Sequence, residues 1–381
     1  MEYRQAGNTQ IQLSTLGFGC MRLPKLPDEK KKIDFDHSHR LFRRARELGV
    51  NYFDTAYMYD NGDSERCLGQ FLQEVDREDV VISAKNPVGH QFWPIPGDKP
   101  TGQLYRRCLE EELERLGTDT IDFYLFHDST LVAFRIVCKP PGGCLDQALR
   151  AREEGLVRHI GFSSHDSPEN IKKIIDMADG QLDFMVVQYN LLNRKNEALI
   201  ETAHELGMGV SIMGPVGGGR LVHPSQVYGQ AIDASSTPEA AIRFVLANPH
   251  VTTAMSGMNS IEQVEENAAA ASRPEPLSDQ ELEAIDRLQR ENRELLDLYC
   301  TGCGYCMPCP NGVDIPGNFA AMNTLRVHGL VELARKMYRK LGEGDASHCV
   351  ECGECAGKCP QDIDIQARIQ EVAETFESAG S

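Results

Sequence analysis

Between residues 14 and 272, short apolar runs rich in β-branched and aromatic side chains alternate with longer stretches whose apolar positions recur every three or four residues. The first pattern is that of a strand buried on both faces, the second that of a helix with one buried side. Strands are predicted at 14–20, 51–56, 80–86, 121–127, 159–164, 183–190, 209–215 and 252–257. Helices are predicted at 37–48, 64–74, 103–116, 145–154, from Ser167-Pro168 onward, 195–206, 238–247 and 261–270. Leu41, Ala45 and Leu48 show the helical spacing in the first, and Leu104, Leu109, Leu113 and Leu116 in the third. Ser167-Pro168 is a helix-opening pair, a capping hydroxyl followed by a first-turn ring whose missing N–H costs nothing there. Residues 2–13 read as a small hairpin across Gly7-Asn8-Thr9-Gln10, a plug or lid outside the wall of strands. Eight evenly spaced strand–helix pairs predict an α/β fold, a (β/α)8 TIM barrel. A doubly wound sheet is the rival, but no strand leads into GxGxxG, and Gly17-Phe18-Gly19 starts one that is never completed.

The pattern breaks at SRPEPLSDQ (272–280), where two prolines mark a boundary. A charged helix is predicted over 280–298, and a Leu330, Leu333, Met337, Leu341 stripe predicts a helix packing face further on. The expected organisation is a barrel over 1–272, a linker and helix over 273–298, and a small α-helical domain over 299–381. A chain of 381 residues has room for a barrel of ~250 residues with an appendage. Its 41% apolar content is enough to fill that core. The formal net charge of −18 argues against nucleic acid or an anionic membrane as a partner, since both select a basic face. With no bilayer-length apolar run and no signal-type leader, a cytoplasmic location is expected.

Polar groups stand at the strand ends. Asp54 closes the second barrel strand, Tyr59 follows five residues on, Lys85 ends the third strand and His127 the fourth. In a barrel all of them fall on the C-terminal rim, where such folds carry their chemistry. Singly each has a plain reading, packing for the Tyr and a helix cap for the Asp. Together they make a general-acid set. A phenol of ordinary pKa, ~10, is a weak proton donor at neutral pH. An adjacent ammonium favours the phenolate and lowers that value. Lys85 would supply the charge, Asp54 would hold Lys85 in place, and His127 would hydrogen-bond a substrate oxygen.

The stretch Asp54–Glu65, DTAYMYDNGDSE, resembles the aldo-keto reductase signature DTAxxYxxGxSE at every fixed position. Lys85 in SAKNP and His127 in YLFH fall where that family carries its other catalytic residues, and the resemblance spans residues 1–272. It implies reduction of an aldehyde or ketone by NAD(P)H, or the reverse alcohol oxidation, without a metal. Tyr59 would be the acid, Asp54 and Lys85 its tuners, and His127 the group that orients the substrate. Cofactor positions follow from the same resemblance. Ser163 and Ser164 in IGFSSH and Gln188 in VVQYN fall where the nicotinamide amide binds, with Ser164 replacing a frequent Asn. Met213 falls where an aromatic ring often stacks on the nicotinamide, a place a thioether can also fill. The loop GPVGGGRL, with Gly214, Pro215, Gly217, Gly218, Gly219 and Arg220, matches the segment that covers the pyrophosphate. Asn259, Ser260, Gln263, Glu266 and Asn267 occupy the adenosine end. Asn259 and Gln263 stand where cations commonly meet a 2′-phosphate, so NADH is expected to serve at least comparably to NADPH. The loops 87–102, with Phe92 and Trp93, and 128–144 are expected to shape the substrate pocket.

The thirteen cysteines divide unevenly. Eight form two short runs, Cys300, Cys303, Cys306, Cys309 before Pro310, and Cys349, Cys352, Cys355, Cys359 before Pro360. A secreted disulfide framework would spread them along the chain. The second run has the bacterial ferredoxin spacing for 4Fe-4S clusters, and the first is one residue short before its last cysteine. Zinc is the alternative ligand, but two runs each closing in Cys-Pro favour iron–sulfur. Residues 299–365 resemble a dicluster ferredoxin module, and barrel plus module resemble the iron–sulfur branch of the aldo-keto reductases. The ferredoxin resemblance implies crossed ligation, with Cys359 joining Cys300, Cys303 and Cys306, and Cys309 joining Cys349, Cys352 and Cys355. A first cluster that uses its own four cysteines is the runner-up.

A nicotinamide passes two electrons as a hydride and a cluster passes one, and no flavin motif links the two. The two 4Fe-4S clusters then serve a redox protein partner at the iron–sulfur domain, an unrecognised cofactor, or structure alone. The expected function is NAD(P)H-dependent oxidoreduction of a small-molecule carbonyl or alcohol substrate. Its rival is an electron-transfer protein whose barrel binds nicotinamide without carbonyl turnover. A barrel with no chemistry at all is disfavoured by the intact tetrad.

Overall fold

The computed structural model describes residues 1–29, 31–89, 101–191, 193–222, 234–272, 277–291, 300, 302–326 and 331–377. Strands β1 (Tyr3–Gln5) and β2 (Gln12–Ser14) pair antiparallel as the predicted hairpin. The hairpin plugs the end of the barrel at which the strands begin. The Asn8 amide donates to Gly207 O at 2.7 Å, just before a barrel strand starts. The Arg4 guanidinium donates to Val251 O at 2.7 Å, just before another. Gly7 is required there: its φ is +57°, and a Cβ would come within 2.2 Å of Gly207 O.

Eight parallel strands close the barrel, β3 (Leu16–Gly19), β4 (Tyr52–Asp54), β5 (Val81–Asn86), β6 (Ile121–Phe126), β7 (Val157–Ser163), β8 (Phe184–Gln188), β9 (Gly209–Met213) and β10 (Thr253–Ser256), with β10 paired to β3. The helices between them are α1 (Phe35–Glu47), α2 (Asp63–Leu72), α3 (Gly102–Leu116), α4 (Cys144–Glu153), α5 (Pro168–Ala178), α6 (Glu197–Glu205), α7 (Thr237–Ala247) and α8 (Ile261–Ala271). All eight predicted pairs are present, with ends shifted by a few residues. Ser167 caps α5 as its type demands, its hydroxyl accepting from the Asn170 amide at 3.2 Å.

The strands have two buried faces, which is why their sequences read as continuous apolar runs. Outside the wall, Phe18 and Phe53 meet Phe42 of α1 edge-on, at 5.0 and 5.6 Å between ring centroids. Inside it, Phe123 stacks on Phe184 at 4.3 Å beside Tyr52. The register brings strand ends level: Asp54 pairs with Ser83, Lys85 with Leu125, and Gln188 with Met213.

The chain divides into two compact units, 1–189 with 194–215 and 242–276, and 190–193 with 216–241 and 277–381. In the second unit lie α9 (Asp279–Glu291), α10 (Ile315–Arg326), α11 (Val331–Lys340) and α12 (Ile365–Glu377). Ile315, Phe319 and Met322 of α10 pack with Ile365, Ile369 and Val372 of α12, and six of the eight run cysteines lie against this core. Met337 and Leu341 of the predicted stripe pack there too. Leu330 and the side chain of Leu333 lie outside the described residues. Among the described residues no helix is long and apolar enough to cross a membrane.

Candidate active site

Side chains two apart on a strand share a face. Tyr52 and Asp54 of β4 therefore point inward together, and so do Ser83 and Lys85 of β5. They form one chain of bonds. Tyr52 OH and Ser83 Oγ lie 2.8 Å apart, Ser83 Oγ donates to Asp54 Oδ2, and Lys85 Nζ pairs with Asp54 Oδ1. Asp54 and Lys85 are 1% and 2% exposed, so the pair is fully withdrawn from water. Lys85 Nζ also donates to Thr55 O at 2.9 Å and to Tyr59 Oη at 3.3 Å. An ammonium has three N–H donors, and here all of them have acceptors. Because Lys85 donates into the phenol oxygen, the phenol proton must point elsewhere.

The motif residues after Tyr59 aim that ring. Asp60, Asn61 and Gly62 run at φ +50°, +56° and +84°, three left-handed residues in succession. Asn and Asp tolerate this region and Gly prefers it, which accounts for the Asp-Asn-Gly sequence. α2 is then pinned back. Ser64 Oγ donates to Cys20 O at 2.9 Å and lies 2.8 Å from Thr55 Oγ1, and buried Glu65 pairs with Arg115. Ser64 and Glu65 thus hold the turn that presents Tyr59.

Tyr59 is part-buried and meets His127 edge to face, with ring centroids 5.7 Å apart and planes at 82°. Burial, and then the Asp54 carboxylate, push its phenol well above the usual range. The expectation that Lys85 lowers this value is corrected. The ammonium is already engaged by Asp54, so desolvation and the carboxylate prevail over it. Burial also pushes the neighbouring Cys20 thiol up, which leaves it protonated.

Around the rim, Gln188 is 3% exposed, and neither its amide nitrogen nor its amide oxygen has a partner. A buried amide left open at both ends suits a ligand that is itself an amide. Ser163 Oγ accepts from the Asp128 amide at 2.9 Å, which leaves its proton to donate. Ser164 is less available, since its hydroxyl donates to Ser129 O at 2.6 Å and accepts from the Asp166 amide. Met213 is half-buried at the end of β9, followed by Gly214 at φ +64° and Pro215. Gly217, Gly218 and Gly219, at φ +62°, +66° and +98°, belong to the second unit with Arg220. The Arg220 side chain, Phe92 and Trp93 lie outside the described residues.

At α8, Ser260 caps the helix by accepting from the Gln263 amide at 3.3 Å. Gln263 Oε1 turns back to accept from the Asn259 amide at 2.9 Å. Asn267 donates to Ser256 Oγ at 3.2 Å, and Glu266 is exposed. Arg44 stands beside this helix and is held by Glu47 and Glu265.

Two recesses among the described residues of the second unit are lined by cysteines. One, of about 310 Å³, is lined by Cys300, Cys303, Cys306 and Cys359. The other, of about 460 Å³, is lined by Cys309, Cys349, Cys352 and Cys355, with Cys306 on the shared wall. Each recess thus draws its fourth sulfur from the opposite run. Among the described residues no three His, Cys, Asp or Glu side chains are arranged to hold a single metal ion. Four thiols around a space rather than around a point fit a multi-iron cluster better than a tetrahedral zinc. Burial and the nearby sulfurs of Cys300 and Cys303 push the Cys306 thiol up to about 12, a crowding that bound metal charge would relieve. Sequence reasoning missed Ser83, Tyr52 and Thr55. The period of two along β4 and β5 was the signal that points to the first two.

The family model described as Aldo/keto reductase family matches residues 15–290, and a 4Fe-4S dicluster domain model matches 299–363. An uncharacterized oxidoreductase of Bacillus subtilis, YqkF, is 26% identical over 318 residues, covering 75% of this chain and 95% of that one. The NADH-specific methylglyoxal reductase of Escherichia coli is 27% identical over 308 residues, 69% of this chain and 91% of that one. Among solved structures, the holo form of aldo-keto reductase AKR11C1 from Bacillus halodurans superposes with a TM-score of 0.63 at 27% identity, covering 76% of this chain and 96% of that one.

Proposed function

We propose an activity from one premise: the chain belongs to the aldo/keto reductase family of oxidoreductases and carries a 4Fe-4S dicluster domain. Our reading is that it reduces an aldehyde or ketone with NADH or NADPH, or oxidises the corresponding alcohol. We keep the barrel at 1–272, the linker at 273–298 and the cluster domain at 299–381. One observation carries the reading, the Lys85 ammonium bonded at once to Asp54, Thr55 O and the Tyr59 oxygen.

The nicotinamide supplies the hydride when bound. Every other step belongs to the chain. A raised pKa keeps the Tyr59 phenol protonated when substrate arrives. As charge grows on the carbonyl oxygen, Tyr59 passes it the proton. Lys85, 3.3 Å from the phenol oxygen, then stabilises the phenolate that forms. That assistance appears mainly in the transition state, where it accelerates the reaction. His127 orients the carbonyl oxygen from the facing side. Gln188, with Ser163, holds the nicotinamide amide, and the α8 end takes the adenosine. With Gln263 engaged in the helix cap and Arg44 held by carboxylates, neither is set to take a 2′-phosphate, so NADH serves at least comparably to NADPH. A relative named NADH-specific supports this. The clusters, where bound, carry single electrons, and the cysteines hold them in the crossed pattern that lines the two recesses.

Tyr59→Phe tests the reading. It should lower carbonyl reduction at least ~100-fold while the dissociation constant for NADH stays within twofold, about the scatter of such a measurement. Turnover equal to wild type removes Tyr59 as the acid. Cluster reduction by NADH with no carbonyl turnover in the wild type favours the electron-transfer alternative.

A further inference from the structure

The two cysteine runs end in the same fold of chain. Cys309-Pro310-Asn311-Gly312-Val313-Asp314-Ile315 matches Cys359-Pro360-Gln361-Asp362-Ile363-Asp364-Ile365 position for position. The Gly312 amide donates to Cys309 O at 3.1 Å, and the Asp362 amide to Cys359 O at 3.2 Å. Gly312 and Asp362 both take left-handed backbone, at φ +79° and +55°. Asp314 and Asp364 each cap the helix that follows, accepting from the Gly317 amide at 3.0 Å and the Ala367 amide at 3.1 Å. Asn311 and Gln361 are therefore equivalent residues in two related halves.

Asn311 already shows what this position does. Its Nδ2 donates to Cys352 Sγ at 3.6 Å, across to the second cysteine of the opposite run. The counterpart of Cys352 is Cys303, which lines the same recess as Gln361. Both amide atoms of Gln361 are buried and neither has a partner. An orphaned buried amide carries a desolvation cost that a local acceptor would remove. Gln361 lines the recess beside Cys359 and Lys358, and its side-chain amide brings an unused N–H to that wall.

We propose that the side-chain N–H of Gln361 donates to sulfur of the cluster held by Cys300, Cys303, Cys306 and Cys359, and sets that cluster's reduction potential independently of its neighbour's. This rests on the dicluster reading. A reduced cluster is one charge more negative than an oxidised one. A donor to its sulfur therefore favours the reduced form and raises the potential. Gln361 acts through the cluster sulfur and touches no substrate.

The test uses the full-length protein, purified anaerobically and titrated with dithionite while electron paramagnetic resonance is recorded. Gln361→Leu should keep eight irons per chain and shift one cluster's redox equilibrium about tenfold toward the oxidised form, ~59 mV for one electron. The other cluster should not move. Asn311→Leu should shift the other cluster in the same direction and leave the first alone. Full iron content with both potentials unchanged in Gln361→Leu overturns the proposal. If that variant fails to retain iron, wild-type protein labelled with 15N at the glutamine side-chain amides decides. Gln366 lines the other recess, so a 15N coupling is sought on the cluster that Asn311→Leu does not shift. Its presence supports the bond and its absence overturns it. Zinc in place of iron in the wild type overturns the dicluster reading itself, a result distinct from eight irons with unshifted potentials.

Discussion

The barrel rim and the cysteine recesses are both clusters of polar groups, but they are held in opposite ways. Around Tyr59 the chain satisfies itself. Lys85 has acceptors for all its protons, Asp54 is bonded at both oxygens, and Ser64 and Glu65 fasten the turn beneath Tyr59. In the recesses the groups crowd without neutralising one another: sulfurs gather around open space, and the Gln361 amide meets nothing. The lesson is that the groups around Tyr59 are fastened by the chain itself, while the open amides of Gln188 and Gln361 and the gathered sulfurs are left for what binds there.

The largest effect expected from this contrast is on folding. Removing iron with a strong chelator should strip hydrogen-exchange protection from α10 and α12, since the crossed ligation proposed above would tie both to the metal, while the barrel strands stay protected. Equal protection in the presence and absence of iron would contradict it. Next is Lys85→Met, which leaves Asp54 charged and alone in a dry site. It should cost the barrel ~3–5 kcal/mol in urea unfolding, and adding Asp54→Asn should restore much of that. A loss below 1 kcal/mol, the range of exposed pairs, would mean the rim is not pre-built.

A smaller effect belongs to the adenosine end. Asn259→Lys should raise the ratio of kcat/KM for NADPH over NADH about tenfold, or ~1.4 kcal/mol, and an unchanged ratio would move the 2′-hydroxyl site away from α8. The smallest is a slope. Because burial and Asp54 raise the phenol pKa, Tyr59 stays protonated throughout the neutral range, and the acid is lost only above the ordinary phenol range. Carbonyl reduction should therefore show no Tyr59-dependent fall between about pH 7 and 9. A limb in that window that disappears in Tyr59→Phe would restore the depressed phenol first expected.

Much of this was legible in the residues. Period and spacing located eight strand–helix pairs, and strand ends placed Asp54, Tyr59, Lys85 and His127 on one rim. What stayed hidden depended on distance across the fold. The direction of the Tyr59 shift needs the knowledge that Lys85 is already paired and that water is excluded. Ser83 looks like any strand serine until Asp54 is seen beside it. Residues 2–13 read equally as plug or lid until the bond from Asn8 to Gly207 puts them at the end away from the rim. The triple glycine at 217–219 read as one loop with Gly214 and Pro215, yet contacts group it with the second unit. Gln361 gave no signal, since a glutamine after Cys-Pro is unremarkable until its amide is found without a partner.

The sharing of each recess between the two cysteine runs has a consequence for the order of events during synthesis. The recess begun by Cys300, Cys303 and Cys306 lacks its last wall until Cys359 has left the ribosome, and Cys309 waits for Cys349 in the same way. At ~5–20 residues per second, the 50 residues from Cys309 to Cys359 take several seconds to emerge. The barrel, complete earlier in the chain, can fold in that interval. A cluster in either recess must therefore wait for both runs, whose thiols stay open to oxygen until it is filled.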